Sequence, residues 1–178
     1  MKNSILILMR HGKSDWPENL RRDFDRSLAP RGEKDAPRMG KWLRKNGLVP
    51  DKVISSPALR ARATAELVVE KLRIPRKRII FDARIYEAEL SQLLDVIAAH
   101  GADTDALLLV GHNPGLEELL MHLALEPPSR DERGKLLTTA TVAVLEFKGS
   151  IGVRPRCARL RQLIRPRDLK SARPEDLD

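Results

Sequence analysis

The chain has 178 residues, 42% of them hydrophobic, with 33 Lys and Arg against 25 Asp and Glu and a formal net charge of +8. That length and apolar content let one domain bury its own core, and they exclude a disordered chain. The single cysteine, Cys157, excludes an intrachain disulfide framework and fits a reducing, cytoplasmic setting, and no apolar stretch reaches the roughly 20 residues of a membrane-spanning helix.

Ser4–Met9 reads as a buried strand, too short for a helix and shorter than the roughly 7–15 residue apolar core of a secretory signal. It stops at Arg10-His11-Gly12, and a polar loop follows from Asp15 to Pro30. Arg31–Asn46 has helical spacing at Ala36, Met39 and Leu43, with Pro37 expected to begin a turn or kink it and Asn46-Gly47 to stop it. Lys52–Ser55 is a short strand. Ser56-Pro57 reads as a cap and a first-turn proline, opening a helix to about Leu72 with Ala61, Ala65, Val68 and Leu72 on one face.

Arg78–Phe81 is the next expected strand, and Ser91–Ala99 a helix capped by Ser91. Ala106–Val110 is a continuous apolar strand that runs into Gly111-His112-Asn113-Pro114-Gly115 and a helix to about Ala124. A polar loop over 126–135 precedes two further strands, Thr139–Phe147 and Arg156–Ile164. Helices alternating with strands that are apolar throughout indicate an α/β sheet covered on both faces. Residues 1–165 are read as one domain and 166–178 as a charged tail.

The charge excess is local. Residues 151–173 hold eight Lys or Arg against the single acid Asp168, so this segment alone carries +7. Ala158, Leu160 and Ile164 alternate there with Arg159, Arg161 and Arg165, the pattern of a half-buried strand with a solvated outer face. With no aromatic residue among them, these arginines offer no base-stacking platform, and nucleic acid is not expected as a partner.

Three expected strands end in related chemistry. The first delivers Arg10 and His11, the second leads through Ser56-Pro57 to Arg60, and the fourth delivers His112. Ligands of open α/β sheets bind outside the carboxyl ends of the strands, so two arginines and two histidines would meet in one crevice suited to phosphate or another small oxyanion. Arg62 has an ion-pair partner four residues on in Glu66, and His100 and His122 fall at a helix end and within a helix, as structural or surface residues. Neither Cys pairs nor a His-rich run give metal-ligand spacing, so neither a metal nor another cofactor is expected.

On these residues the sequence resembles branch 1 of the histidine phosphatase superfamily, the group related to phosphoglycerate mutase. Three motifs carry the resemblance: Arg10-His11-Gly12, the run from Ser56-Pro57 through Arg60 to Ala65, and Gly111-His112-Asn113-Pro114-Gly115. RHGKSDW, DFDRSLAPRGEKDAPRMG and LLLVGHNPGLEELL look like the short SixA-type phosphohistidine phosphatases, and the similarity spans roughly residues 4 to 169. It implies a three-layer α/β/α sandwich with a mostly parallel central sheet and no inserted lid. It also implies that His11 is a transiently phosphorylated nucleophile and that Arg10, Arg60 and His112 hold the phosphoryl oxygens. Pro17 stands where many relatives have a phosphate-touching asparagine, and Glu87 is the candidate proton donor, or else a plain helix-start residue. Lys13 and Ser14 either contact phosphate or finish the loop.

Phosphoryl transfer asks mainly for positioning and for cationic groups on the equatorial oxygens, which guanidinium forks supply. A nucleophilic histidine must be neutral, with its second ring nitrogen donating to a backbone carbonyl to fix the tautomer. The expected course is in-line attack by His11, a phosphohistidine intermediate and hydrolysis. Expected substrates are a phosphohistidine protein or a small phosphorylated metabolite. The alternatives are a phosphomonoesterase or mutase of the same family, a basic anion- or nucleic-acid-binding module, and a scaffold that has lost activity.

Overall fold

The computed structural model describes residues 2–19 and 22–170. The apolar opening run forms β1 (Asn3–Arg10), whose side chains alternate between two separate core clusters, Leu6 and Leu8 in one, Ile7 and Met9 in the other. β4 (Ala106–Gly111) divides Leu107 and Leu109 from Leu108 and Val110 in the same way. Strands apolar on both faces need helices on both. One face carries α1 (Pro30–Lys45) and α2 (Leu59–Leu72), which add Met39, Leu43, Val68 and Val69 to the second cluster. The other carries α3 (Leu90–Gly101) and α4 (Gly115–Leu123), which add Leu93, Ile97, Leu116 and Leu120 to the first.

The remaining strands are β2 (Lys52–Ser55), β3 (Ile79–Phe81), β5 (Val142–Lys148) and β6 (Ala158–Ile164). They complete a six-stranded sheet in the order β3-β2-β4-β1-β5-β6. β3, β2, β4 and β1 run parallel, β5 pairs antiparallel with β1, and β6 antiparallel with β5. The architecture is a three-layer α/β/α sandwich with a mostly parallel sheet, and no helix among the described residues is long and apolar enough to cross a membrane.

Several boundaries differ from the sequence reading, each for a local reason. Helix α1 starts at Pro30, where proline suits a first turn, and runs unbroken through Pro37; the buried Ala36, Met39 and Leu43 outweigh the one missing main-chain donor. It ends where Gly47 takes φ +69 and Leu48 N–H reaches back to Leu43 O at 2.9 Å. Ser56 does not cap α2, which begins at Leu59; its Oγ accepts the Ala58 N–H at 3.2 Å in the turn before the helix. Helix α3 begins at Leu90, so Glu89 takes the cap position that Ser91 was expected to fill, in a reciprocal pair with Gln92. Left-handed residues Ala140 (φ 59) and Arg156 (φ 51) delay β5 and β6 to Val142 and Ala158. Of the expected tail, Asp168–Lys170 form a 3-10 turn with Leu169 buried in the core, and residues 171–178 lie outside the described residues.

The loop after β1 packs directly on the first turn of α1, where Ala29 N–H donates to Lys13 O at 2.8 Å. A Cβ on Gly32 would lie 2.3 Å from Lys13 O and 2.9 Å from Lys13 N, both backbone atoms that cannot step aside cheaply. Gly32→Ala is therefore expected to destabilise the fold by at least about 1–3 kcal/mol, read as a melting temperature several degrees lower. Gly134→Ala, at φ +71 with nothing within 4 Å of the new Cβ, brings backbone strain without a clash and should shift melting less.

Candidate active site

Main-chain pairing sets the ends of three strands level. Arg10 stands opposite Gly111 in the β1–β4 ladder, His11 N–H continues it to Gly111 O at 3.0 Å, and Ser56 N–H reaches Val110 O at 3.0 Å. The turn before β5 closes over the end of β1, with Ala140 N–H shared between the carbonyls of Arg10 (3.1 Å) and His11 (3.0 Å). Arg10, His11, Arg60 and His112 are thereby brought to one end of the sheet.

The buried imidazole of His11 has its tautomer set by geometry. Nδ1 lies 2.7 Å from the Gly12 carbonyl, an acceptor only, so Nδ1 carries the proton and Nε2 keeps its lone pair. Arg60 Nε donates toward that Nε2 at 3.4 Å. Burial, reinforced by the charges of Arg60, Arg10 and Arg26, pushes the His11 pKa down from 6.5 to about 4. The ring is neutral at neutral pH.

His112 lies beside it, ring centroids 5.1 Å apart, and its Nε2 is 2.7 Å from Ser56 Oγ. Ser56 Oγ accepts the Ala58 N–H and keeps its own proton free to donate to His112 Nε2, an arrangement that leaves the ring proton on Nδ1. That Nδ1 is buried with no hydrogen-bond partner. Burial first, then the neighbouring His11 and Arg60, pushes the His112 pKa down to about 3.

Arg10 is held by a second network. Its Nη1 donates to Leu137 O at 2.9 Å; Glu117 Oε1 takes the Leu137 N–H at 2.9 Å, and Asn113 Nδ2 bridges Leu137 O (2.9 Å) and Glu117 Oε1 (3.0 Å). Arg10 Nε is buried and unpartnered. The donors without partners here, Arg10 Nε and His112 Nδ1, together with the inner edge of Arg60, can receive the oxygens of a small dianion in front of His11 Nε2.

The other sequence candidates lie differently. Lys13 is exposed, while Ser14 is buried with its hydroxyl bound to Arg26. Glu87 is exposed at φ 51, one residue beyond Tyr86, whose ring meets His112 edge-on at 5.6 Å. Pro17 is exposed. Arg62 pairs with Glu66 at 3.2 Å, His100 Nε2 lies 3.2 Å from Asp82 Oδ2, and His122 Nε2 lies 3.0 Å from Val153 O. Among the described residues, no His, Cys, Asp or Glu cluster is arranged to hold a metal ion.

Sequence reasoning missed Asp23, Arg26, Tyr86, Ser56 and Glu117. Asp23 accepts from Arg60 Nη2 (2.9 Å), Arg26 Nη1 (3.0 Å) and Tyr86 OH (3.0 Å), and its main-chain carbonyl accepts from Arg60 Nη1 at 2.7 Å. The run DFDRSLAPRGEKDAPRMG carries part of the family resemblance, but nothing in its pattern assigns a role to Asp23 or Arg26.

Comparison with known proteins adds three findings. The sequence model of the histidine phosphatase superfamily (branch 1) matches residues 6–95. An uncharacterised protein of Mycobacterium tuberculosis is 34% identical over 157 residues, covering 85% of this chain and 96% of its own, and a 2,3-bisphosphoglycerate-dependent phosphoglycerate mutase of Streptomyces griseus is 44% identical over 78 residues, 41% of this chain and 31% of its own. Among solved structures, a candidate phosphohistidine phosphatase SixA from Nakamurella multipartitia superposes with a TM-score of 0.76 at 27% identity, over 93% of this chain and 98% of that one.

Imidazole titration by NMR is expected to find both rings neutral at pH 6, with midpoints near 4 for His11 and 3 for His112. The unfolded chain binds these protons nearer 6.5, so the associated stability is complete above that pH and is lost as pH falls toward the folded values. Ser56→Ala should let His112 move its proton to Nε2, a tautomer change that nitrogen chemical shifts report directly.

Proposed function

The chain belongs to branch 1 of the histidine phosphatase superfamily, and from that premise we propose that it dephosphorylates phosphohistidine on protein substrates through a phosphoenzyme at His11. The observation that carries this reading is the state of His11: a neutral ring with its proton tied to the Gly12 carbonyl and its Nε2 lone pair facing the guanidinium of Arg60. A phosphoryl oxygen takes the Arg60 Nε–H in place of that weak contact and frees the lone pair for attack.

In the first step the His11 Nε2–phosphorus bond forms as the bond from phosphorus to the substrate's imidazole nitrogen breaks, and that nitrogen takes the bonding pair. Arg10 Nε, His112 Nδ1 and Arg60 balance the charge on the equatorial oxygens. In the second step water attacks phosphorus, its proton passes to solvent, inorganic phosphate leaves and His11 recovers its lone pair. An imidazole leaving group makes a smaller demand for a proton than an alkoxide does. The exposed Glu87 then assists only with ester substrates. The likeness to a SixA-type phosphohistidine phosphatase structure over 93% of this chain and 98% of that one supports a phosphoprotein substrate. Hydrolysis of small phosphate esters is the second reading, favoured by the local identity to a phosphoglycerate mutase.

Brief incubation with a labelled phosphodonor should leave an acid-labile, base-stable adduct on the wild-type protein that vanishes in His11→Ala, with turnover falling on the order of 10³-fold or more. Glu87→Gln is expected to slow hydrolysis of phosphate monoesters more than that of a histidine peptide phosphorylated with phosphoramidate. Equal losses would remove the proton-donor role, and an isomerised phosphoester in place of free phosphate would favour a mutase.

A further inference from the structure

Arg60 is among the most buried charged residues of the chain, and its anionic partner comes from neither of its neighbouring elements. Asp23 lies in a 3-10 turn (Asp23–Asp25) of the long loop between β1 and α1, and it takes Arg60 twice, through its carboxylate at Nη2 and its main-chain carbonyl at Nη1. A guanidinium has five N–H groups in a fixed plane. The two that Asp23 uses lie on the end away from the side-chain stem. Nε–H and the second hydrogen of Nη2 point along the other edge, and Nε is the atom facing His11 Nε2 at 3.4 Å. Asp23 therefore occupies the edge of Arg60 that a phosphoryl group in front of His11 does not need.

We propose that Asp23 is a positioning residue of the site: it grips the outer edge of Arg60 and so presents the inner, Nε edge to the phosphoryl group at His11. The inference deepens the phosphoenzyme reading and rests on it. Asp23 is itself fixed from two further sides. Tyr86 donates to Oδ2 and packs its ring edge-on against both Phe24 (5.0 Å) and His112 (5.6 Å). Arg26 donates to Oδ1, while its other nitrogens reach Asp15 O at 3.1 Å and the Ser14 hydroxyl. The Arg26 guanidinium also lies over the exposed Trp16 ring, 3.6 Å from its centroid. The loop thus delivers one carboxylate into a pocket otherwise lined by Arg10, Arg60 and Arg26. Burial alone would raise the Asp23 pKa, but the hydrogen bonds from Arg26, Tyr86 and Arg60 prevail and hold it at about 2, so it is anionic wherever the site works.

This arrangement separates two quantities. Asp23 orients a cation, which raises kcat, and it also places a negative charge near an incoming dianion, which weakens binding. With the histidine peptide phosphorylated by phosphoramidate, Asp23→Ala is expected to lower kcat about 10–100-fold. Inhibition by inorganic phosphate should meanwhile stay as strong or become stronger. Asp23→Asn, which keeps an acceptor for Arg60, should retain more kcat than Asp23→Ala. Tyr86→Phe, which removes one tether of Asp23 without opening a cavity, should lower kcat in the same direction but less, and it serves if Asp23→Ala fails to fold. Unchanged kcat in folded Asp23→Ala, or in Tyr86→Phe where Asp23→Ala does not fold, would overturn the inference. So would a rise in kcat, since that marks Asp23 as a competing anion, or weakened phosphate inhibition in step with kcat. These results leave the phosphoenzyme reading intact. Absence of any adduct or turnover in the wild type would instead sink that reading and this inference with it.

Discussion

Two main-chain hydrogen bonds, from His11 to Gly111 and from Ser56 to Val110, hold the whole site in register. They extend the parallel ladders of β1, β4 and β2 by one residue each, so that three chain segments leave the sheet at the same height. A slip of one residue in β1 would exchange Leu6 and Leu8 for Ile7 and Met9 between two shaped core clusters and, in one direction, carry the charged Arg10 into the fully buried place of Met9, so packing and desolvation oppose it. Core packing on both sides of the sheet therefore fixes the position of an imidazole that lies at its edge. The side chains that follow need only short reaches: Nδ1 of His11 to the next carbonyl, and Ser56 to His112.

Charge is balanced within this pocket in an uneven way. The arginines favour an anion, and the same fields, added to burial, keep both histidines neutral. Burial is the larger influence on each ring, so the neutral state belongs to the fold more than to any single arginine. The guanidinium groups are themselves held by oxygens they do not share with one another: Arg10 by Leu137, Arg60 by Asp23. Each cation is thus fixed before a ligand arrives, and little reorganisation is left for the reaction.

The parts of this arrangement that could be read from the sequence are those written in short-range pattern. β1 and β4 are continuous apolar runs, the face of α2 repeats at helical spacing, and the strand-end rule puts residues 10, 11, 60 and 112 at one end of a parallel sheet. Boundaries were less legible because backbone geometry sets them: Glu89 caps α3 through its pairing with Gln92, and Ala140 delays β5 by adopting a left-handed conformation. Asp23 was illegible for a different reason. Its partners Arg60 and Tyr86 lie 37 and 63 residues away, and its loop has no periodicity from which a contact could be inferred. Glu117 was hidden in the same manner, since its role runs through the main chain of Leu137.

The arginines of the last strand take on another meaning once β6 is seen to close the sheet on one side. Past Ala158, which is bridged by Ala124 and accepts the Leu125 N–H at 2.8 Å, its far edge has no strand beside it among the described residues, and such an edge invites a second chain to pair with it. Arg159 and Arg161 are exposed along β6, while Leu160 and Leu163 turn back against the core. Charged side chains along an edge strand disfavour pairing with a second chain; of this pair Arg161 is also within 3.5 Å of Glu146, while Arg165, just past the strand, is buried.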